Sequence, residues 1–500
     1  MSLTNFEFLC AFALVLLIYY LVPKKAQWFV LLLSSIAYYL CAGYALLILY
    51  PVLSIGLCFA VSKGIVWAKD KPKLKSSFLA VGILTLLVVL LLLKYLKFSS
   101  ALELLVPLGL SYYTFTLIGY LVDIYYGIAE LQGNLLKLMA FGMYFPTLVS
   151  GPIMQYREVQ ESFFEIHRFD FDEFTRGLQR MLWGFFKKLV IAERLGVIVQ
   201  TVYADPTGYR GGYIWFAILC FTFQLYTDFS GLMDIVLGIS QCFGITLPEN
   251  FQTPFFSKTI SEYWRRWHMT LGVWFKEYVF YRILRLGIYG KLQKYFREKL
   301  GKKRGKQYAT FVAMFVLWLT VGLWHGGNMT FVIGSGLLHW FYIVMEELLE
   351  KPMTKLLGRS HIDKDAGWLN KLRMLRTFVL VNIGNAFFRA PSVAAAITLL
   401  GAGFSRAVVR EDLAGAGFLS RGVFALGLPW YDVIIAAFSL IILLIVSLLQ
   451  YNKQASVREM IASKPIVLRF IIWFALLFYV ILLGQYGPGY SAAEFIYQGF

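Results

Sequence analysis

Charge is what this sequence has least of for its size. Asp, Glu, Lys and Arg make up 15% of its 500 residues, against roughly 25% in an ordinary soluble domain, and that shortage excludes a normal solvated surface. Cysteine is sparse too. Cys10, Cys41, Cys58, Cys220 and Cys242 stand singly inside apolar segments, so neither a disulfide framework nor a thiolate metal site has the paired spacing it needs. No Gly-x-Ser-x-Gly elbow occurs and no cysteine adjoins a charged residue, which removes the usual activated nucleophiles. The five histidines show no ligand spacing either. If 324–345 is one helix, His325 and His339 lie about 21 Å apart along it and cannot share an ion. His167 and His361 fall in polar stretches beside Arg168 and Asp363 and read as solvated loop residues. No metal is expected.

What the chain has instead is apolar length. Hydrophobic residues reach 59% and the mean hydropathy is +0.65, values that place it in a bilayer. Runs approaching the roughly 20 residues a membrane helix needs occur at 6–22, 27–49, 51–67, 78–96, 106–127, 135–150, 177–200, 211–229, 231–247, 308–323, 329–347, 374–390, 431–450 and 466–485. The expected fold is all-α and polytopic, with about 11–13 membrane helices that include half-spans or re-entrant pieces around a central chamber. Segment 6–22 has no basic region before it and no small-residue cleavage site after it, so it reads as a retained first span. Segment 78–93 is apolar nearly all round and suits lipid. By contrast, 106–127 mixes Gly109, Ser111, Thr114, Thr116, Gly119 and Asp123 with aromatics and should face protein or a cavity.

Basic residues set the orientation. Lys24, Lys25 and the loop 63–75, with five Lys against Asp70, fall on one side, which the positive-inside rule makes cytoplasmic. Segment 258–306 carries fourteen Lys or Arg against three Glu, a net of +11 out of +18 for the chain. Anionic lipid headgroups account for such a segment; without a recognition fold, nucleic acid is not an expected partner. Its first part, Glu262-Tyr263-Trp264-Arg265-Arg266-Trp267-His268, interleaves aromatics with charge as an interfacial helix does. Arg265 and Arg266 are also suited to a phosphate-rich ligand.

One imidazole sits where lipid should exclude it. Trp324-His325-Gly326-Gly327 separates the apolar runs 311–323 and 331–345. An ionisable residue at that depth is costly and usually functional, and histidine exchanges a proton near neutral pH with little tuning. The Gly326-Gly327 and Gly151-Pro152 breaks leave backbone groups that lipid cannot satisfy, so both should be buried in protein or line a watery passage. Asp228 and Asp234 are expected to pair with basic groups inside the bundle, with substrate contact an open alternative for Asp228.

Several motifs then fall in a recognisable order. They are Leu110-Ser111-Tyr112-Tyr113-Thr114-Phe115, Tyr144-Phe145-Pro146 with Gly151-Pro152-Ile153, Tyr226-Thr227-Asp228-Phe229-Ser230-Gly231, and Glu249-Asn250-Phe251 through His268-Met269-Thr270-Leu271. Gly322-Leu323-Trp324-His325-Gly326 and Phe387-Phe388-Arg389-Ala390 follow, with closing aromatics at 495–500. Over about residues 105–390 the chain resembles the membrane-bound O-acyltransferases, in the branch that acylates bacterial cell-surface polymers and includes alginate O-acetyltransferases and teichoic-acid D-alanylation proteins. The extra material at 351–375 and 400–430 is closer to the alginate type. Asn382-Ile383-Gly384-Asn385 departs from the pattern, since large apolar residues are more usual there.

The resemblance implies a core at 105–390 between N-terminal helices (1–104) and a C-terminal part (391–500). It implies His325 as general base and His268 as a second polar residue that orients the thioester or stabilises its oxyanion. Trp264, Arg265, Arg266, Trp267, Asp228, Asn250, Trp324 and Asn328 become candidate substrate-binding residues. The donor would be a cytoplasmic thioester, acetyl-coenzyme A or an acyl-carrier protein, with no tightly bound cofactor. The acceptor would be an extracytoplasmic polysaccharide at a bacterial plasma membrane, with a secreted or membrane-anchored acyltransferase partner. Direct transfer is preferred; an acyl-histidine and transfer through a partner's serine stay open. D-alanyl transfer from a carrier protein to teichoic acid is the alternative chemistry. A transporter would call for inverted repeats, which are not seen, and a scaffold would need no histidine at depth.

Overall fold

A computed structural model describes residues 2–42, 45–95, 106–205, 208–405 and 422–487. The closing aromatics at 495–500 and most of the extra material at 400–430 lie outside them. The described residues are helical throughout, with a single β-bridge pairing Phe251 with Trp267. Among the described residues, seven helices are long and apolar enough to cross a membrane: Ala45–Trp67, Pro72–Lys94, Gly212–Cys242, Gly287–Trp324, Met329–Arg359, Trp430–Lys453 and Ile466–Leu483. Other expected spans are shorter pieces, such as Phe6–Leu21 at 16 residues and Leu110–Tyr126 at 17. The molecule is a multi-pass α-helical membrane protein.

Three sequence expectations change. Segments 211–229 and 231–247 are one helix, Gly212–Cys242, of 31 residues. Its Asp228 does not interrupt it, because Lys188 Nζ lies 2.5 Å from Asp228 Oδ1 and 3.6 Å from Glu193 Oε1, so the carboxylate is neutralised inside the bundle. The stretch 324–345 is not one helix. The chain stops at Trp324, turns through Gly326 and Gly327 at φ of 140° and 74°, and restarts at Met329, so the axial separation of His325 and His339 does not apply. His167 is also no solvated loop residue: its ring nitrogen lies 2.7 Å from the Ser162 carbonyl, and Gln27 Oε1 accepts its backbone N–H at 3.0 Å.

The chain divides into two compact units, Met1–Phe185 with Gly231–Glu249, and Phe186–Ser230 with Asn250–Phe500. The first is held by edge-to-face aromatics such as Phe12 against Phe243 and Tyr144 against Phe163. Within it Arg180 joins Asp234 at 3.0 Å to Glu249, as expected for an intramembrane carboxylate. Gly151 and Pro152 are buried in protein there.

The second unit contains the hairpin formed by the end of Gly287–Trp324 and the start of the following helix. A Cβ on Gly336 would meet the Trp318 carbonyl oxygen at 2.6 Å, and one on Gly322 would meet Val332 Cα at 2.7 Å. The two backbones therefore touch, as small residues allow in membrane helix packing. The returning strand of the hairpin widens into a π-helical segment, Val332–Leu337, a distortion common at functional sites. A second π segment, Phe186–Ala192, turns Lys187 and Lys188 into the protein interior.

The Lys188 cluster makes a testable claim about stability. Lys188→Met should cost about 3–5 kcal/mol, because it strands buried carboxylates, whereas Arg176→Met removes an exposed pair with Glu173 and should cost almost nothing. Thermal unfolding of the two variants in detergent compares them; equal shifts would contradict the buried pairing.

Candidate active site

His325 caps the helix that carries it. A histidine side chain near a helix C-terminus can hydrogen-bond one of the last carbonyls. Here the ring Nδ1 lies 2.9 Å from the Val321 carbonyl oxygen, which also accepts the backbone N–H of His325 at 3.3 Å. A carbonyl can only accept, so Nδ1 carries the hydrogen and donates it, and in the neutral ring the lone pair is on Nε2. This is the tautomer a general base needs, set by the bond made at the other nitrogen.

Ser335 reinforces that setting from the returning helix. Its Oγ lies 3.2 Å from His325 Nδ1 and donates its own hydrogen to the Phe331 carbonyl at 2.7 Å. The serine oxygen thus accepts a share of the Nδ1–H bond. Serine beside histidine is the pairing of a nucleophile and its base, but the hydrogens run the wrong way for that role. The serine proton is committed to a carbonyl and the adjacent ring nitrogen already has one.

The ring is 2% exposed and borders a cavity of about 20 Å³, room for a water molecule. Polar lining comes from His325, Ser335, Asn385 and His339; Tyr263, Trp264, Trp267 and Phe388 form aromatic walls. His339 is buried beside Trp264 and Trp318, with ring centroids at 5.0 and 5.9 Å, and its Nδ1 makes no hydrogen bond among the described residues. Asn385 reaches the wall because the helix Gly367–Arg389 touches the π segment backbone to backbone: a Cβ on Gly334 would meet the Gly384 oxygen at 2.9 Å.

The other candidates sit around this cavity in different ways. Trp264 and Trp267 line it. His268 does not: it is 0% exposed, and the Trp324 indole flanks both imidazoles, with centroids 5.9 Å from His268 and 4.8 Å from His325. Asn250 Oδ1 holds His268 Nδ1 at 3.2 Å and also accepts from the Thr270 N–H and hydroxyl. That grip keeps His268 in the left-handed region, φ 45°, a conformation a residue other than glycine holds only when its surroundings impose it. Arg265 is exposed, and Arg266 is engaged by Glu262 at 2.8 Å and Thr253 at 3.1 Å. Asp228 faces Lys188, and Asn328 is exposed just past the glycine turn. Sequence reading missed Ser335 and the contribution of Asn385. Asn385 alone carried a signal, as an amide where an apolar side chain was expected.

The profile of the membrane-bound O-acyltransferase family matches residues 132–362. A relative from Pseudomonas fluorescens, named a probable alginate O-acetylase, is 30% identical over 397 residues, 78% of this chain and 72% of the relative. This chain belongs to the membrane-bound O-acyltransferase family. A probable alginate O-acetylase of Pseudomonas syringae pv. tomato is 33% identical over 306 residues, 60% of this chain and 52% of that protein, so the chain spans about half the length of that relative. The teichoic acid D-alanyltransferase of Bacillus subtilis is 28% identical over 250 residues, 49% of this chain and 60% of the relative. Both the hairpin bearing His325 and the segment bearing His268 fall inside the family match.

Ser335→Ala separates the two roles open to that serine. As an orienting hydroxyl its loss should lower acyl transfer about 10-fold or less, with no acyl group trapped on the wild-type chain. Complete loss, together with a labelled acyl-Ser335 peptide from wild type in mass spectrometry, would make it a nucleophile.

Proposed function

We propose that this protein is a membrane-embedded O-acetyltransferase that passes an acetyl group from a cytoplasmic thioester toward the hydroxyl of an extracytoplasmic polysaccharide, with His325 as general base. The observation that carries the reading is the His325 ring itself, buried at a helix end with Nδ1 bound to the Val321 carbonyl and its lone pair on Nε2, beside a cavity of hydroxyl size. As the acceptor oxygen attacks the thioester carbonyl, Nε2 takes its proton, the reaction's principal need near neutral pH. The negative end of the helix ending at Trp324 faces the positive charge that develops on the ring. His268, packed behind Trp324 and gripped by Asn250, supports the position of that indole.

Acetyl transfer is preferred because the relatives named alginate O-acetylases include those at 30–33% identity. D-alanyl transfer from a carrier protein has support at 28% identity. Acetyl-coenzyme A or an acyl-carrier protein would deliver the donor from the basic cytoplasmic side, and the acceptor, or a secreted or membrane-anchored partner that finishes the transfer, would wait outside. No tightly bound cofactor enters the reading. The bacterial plasma membrane is its setting.

Reconstituted protein given radiolabelled acetyl-coenzyme A tests the base. His325→Ala and His325→Gln should each lower transfer about 10²–10⁴-fold at equal membrane levels and unchanged melting temperature. Undiminished transfer by either variant would remove His325 from the chemistry.

A further inference from the structure

Asn385 is a polar group in the cavity wall that the base at His325 does not use. Behind it runs a chain of hydrogen bonds with a single direction. Asn382 Nδ2 donates to the Phe378 carbonyl at 2.8 Å, which turns Asn382 Oδ1 toward Thr222. The Thr222 hydroxyl donates to that oxygen at 2.8 Å, and its lone pair then accepts the Asn385 Nδ2 hydrogen at 3.0 Å. Each donated hydrogen points toward Phe378, so the chain ends at Asn385 Oδ1, which accepts no hydrogen bond among the described residues. Amides linked this way polarise one another by about 10–30% per bond, and a carboxamide whose N–H already donates has a more electron-rich oxygen. The backbone contact between Gly384 and Gly334 holds this acceptor on the same wall as Ser335 and His325.

We propose that Asn385 determines acceptor specificity: its Oδ1 accepts a hydrogen bond from the hydroxyl neighbouring the one that is acylated, so the acceptor presents two adjacent hydroxyls, as a sugar ring does. The inference rests on the reading of His325 as general base. In the step, the first hydroxyl oxygen attacks the thioester carbonyl carbon while its proton passes to His325 Nε2. The C–O bond forms, the C–S bond breaks, and the proton moves on to the departing thiolate, leaving an ester and a thiol. The second hydroxyl keeps its proton, directed at Asn385 Oδ1, and thereby fixes the angle at which the first one enters. The cavity has room for a water-sized group, so one acceptor atom beside the base can recognise a hydroxyl there. Thr222 and Asn382 are positioning residues that act through Asn385.

The full chain, purified in detergent with radiolabelled acetyl-coenzyme A, is offered cis-1,2-cyclohexanediol or cyclohexanol at equal concentration. Wild type should favour the diol about 10-fold in kcat/KM, the effect of one well-placed hydrogen bond. Asn385→Leu should abolish the preference, bringing the ratio of kcat/KM for the diol over cyclohexanol to about one. Thr222→Val should cut the preference about 3-fold, and Thr222→Ser, which keeps the hydroxyl, should restore it. A wild type without preference overturns the proposal, as does an Asn385→Leu variant of unchanged melting temperature that slows both acceptors equally. His325→Ala keeps the two failures apart. Activity retained in that variant refutes the base, whereas His325-dependent hydrolysis of acetyl-coenzyme A with neither alcohol acylated refutes the diol and spares the base.

Discussion

The bond from His325 Nδ1 to the Val321 carbonyl is the contact on which the site's arrangement hangs. It exists because the helix must end there: Gly326 and Gly327 take positive φ values that turn the chain out of the helix. The Val321 carbonyl at that end accepts both the backbone N–H of His325 and its ring Nδ1–H. The side chain that takes the carbonyl's second lone pair is also the one suited to proton transfer, so the helix end sets the tautomer. Ser335 arrives from the other arm of the hairpin only because Gly336 and Gly322 let the two backbones meet.

Around that bond the second unit pairs several buried charges and amides with protein and places others on the cavity. Lys188 has Asp228 and Glu193. Asn250 is saturated by His268 and Thr270. Asn382 and Thr222 relay one direction of hydrogen bonding to Asn385. The aromatic walls of Tyr263, Trp264, Trp267 and Phe388 exclude water from what remains, which strengthens every electrostatic contact made there. Both the hairpin bearing His325 and the segment bearing His268 lie within the family match.

Much of this was legible in the sequence for identifiable reasons. The glycine pair after His325 announced a turn, and the shortage of charge announced a bilayer. Asp228 and Asp234 were expected to pair with basic groups, with substrate contact open for Asp228, and Lys188 and Arg180 hold them. Helix continuity was harder to read. The runs 211–229 and 231–247 form one helix whose Asp228 charge is met by Lys188, a residue 40 positions away that no local window connects to it. Ser335 sits between Gly334 and Gly336, a pattern that reads as small-residue packing; only the hairpin fold brings it to the imidazole. His268 and His325 were both singled out, yet the contact of the Trp324 indole with both rings is a property of packing between segments. His339 was set apart from His325 on the assumption of one continuous helix, and the turn places both on the same cavity.

The state of the His325 ring is the point to measure. Solid-state ¹⁵N spectra of histidine-labelled protein in lipid bilayers at neutral pH, with the signal assigned by its loss in His325→Ala, should show a protonated Nδ1 and a bare Nε2 for this residue. A protonated Nε2, in the opposite tautomer or in an imidazolium, would contradict the account, because the nitrogen meant to receive the acceptor's proton would already hold one.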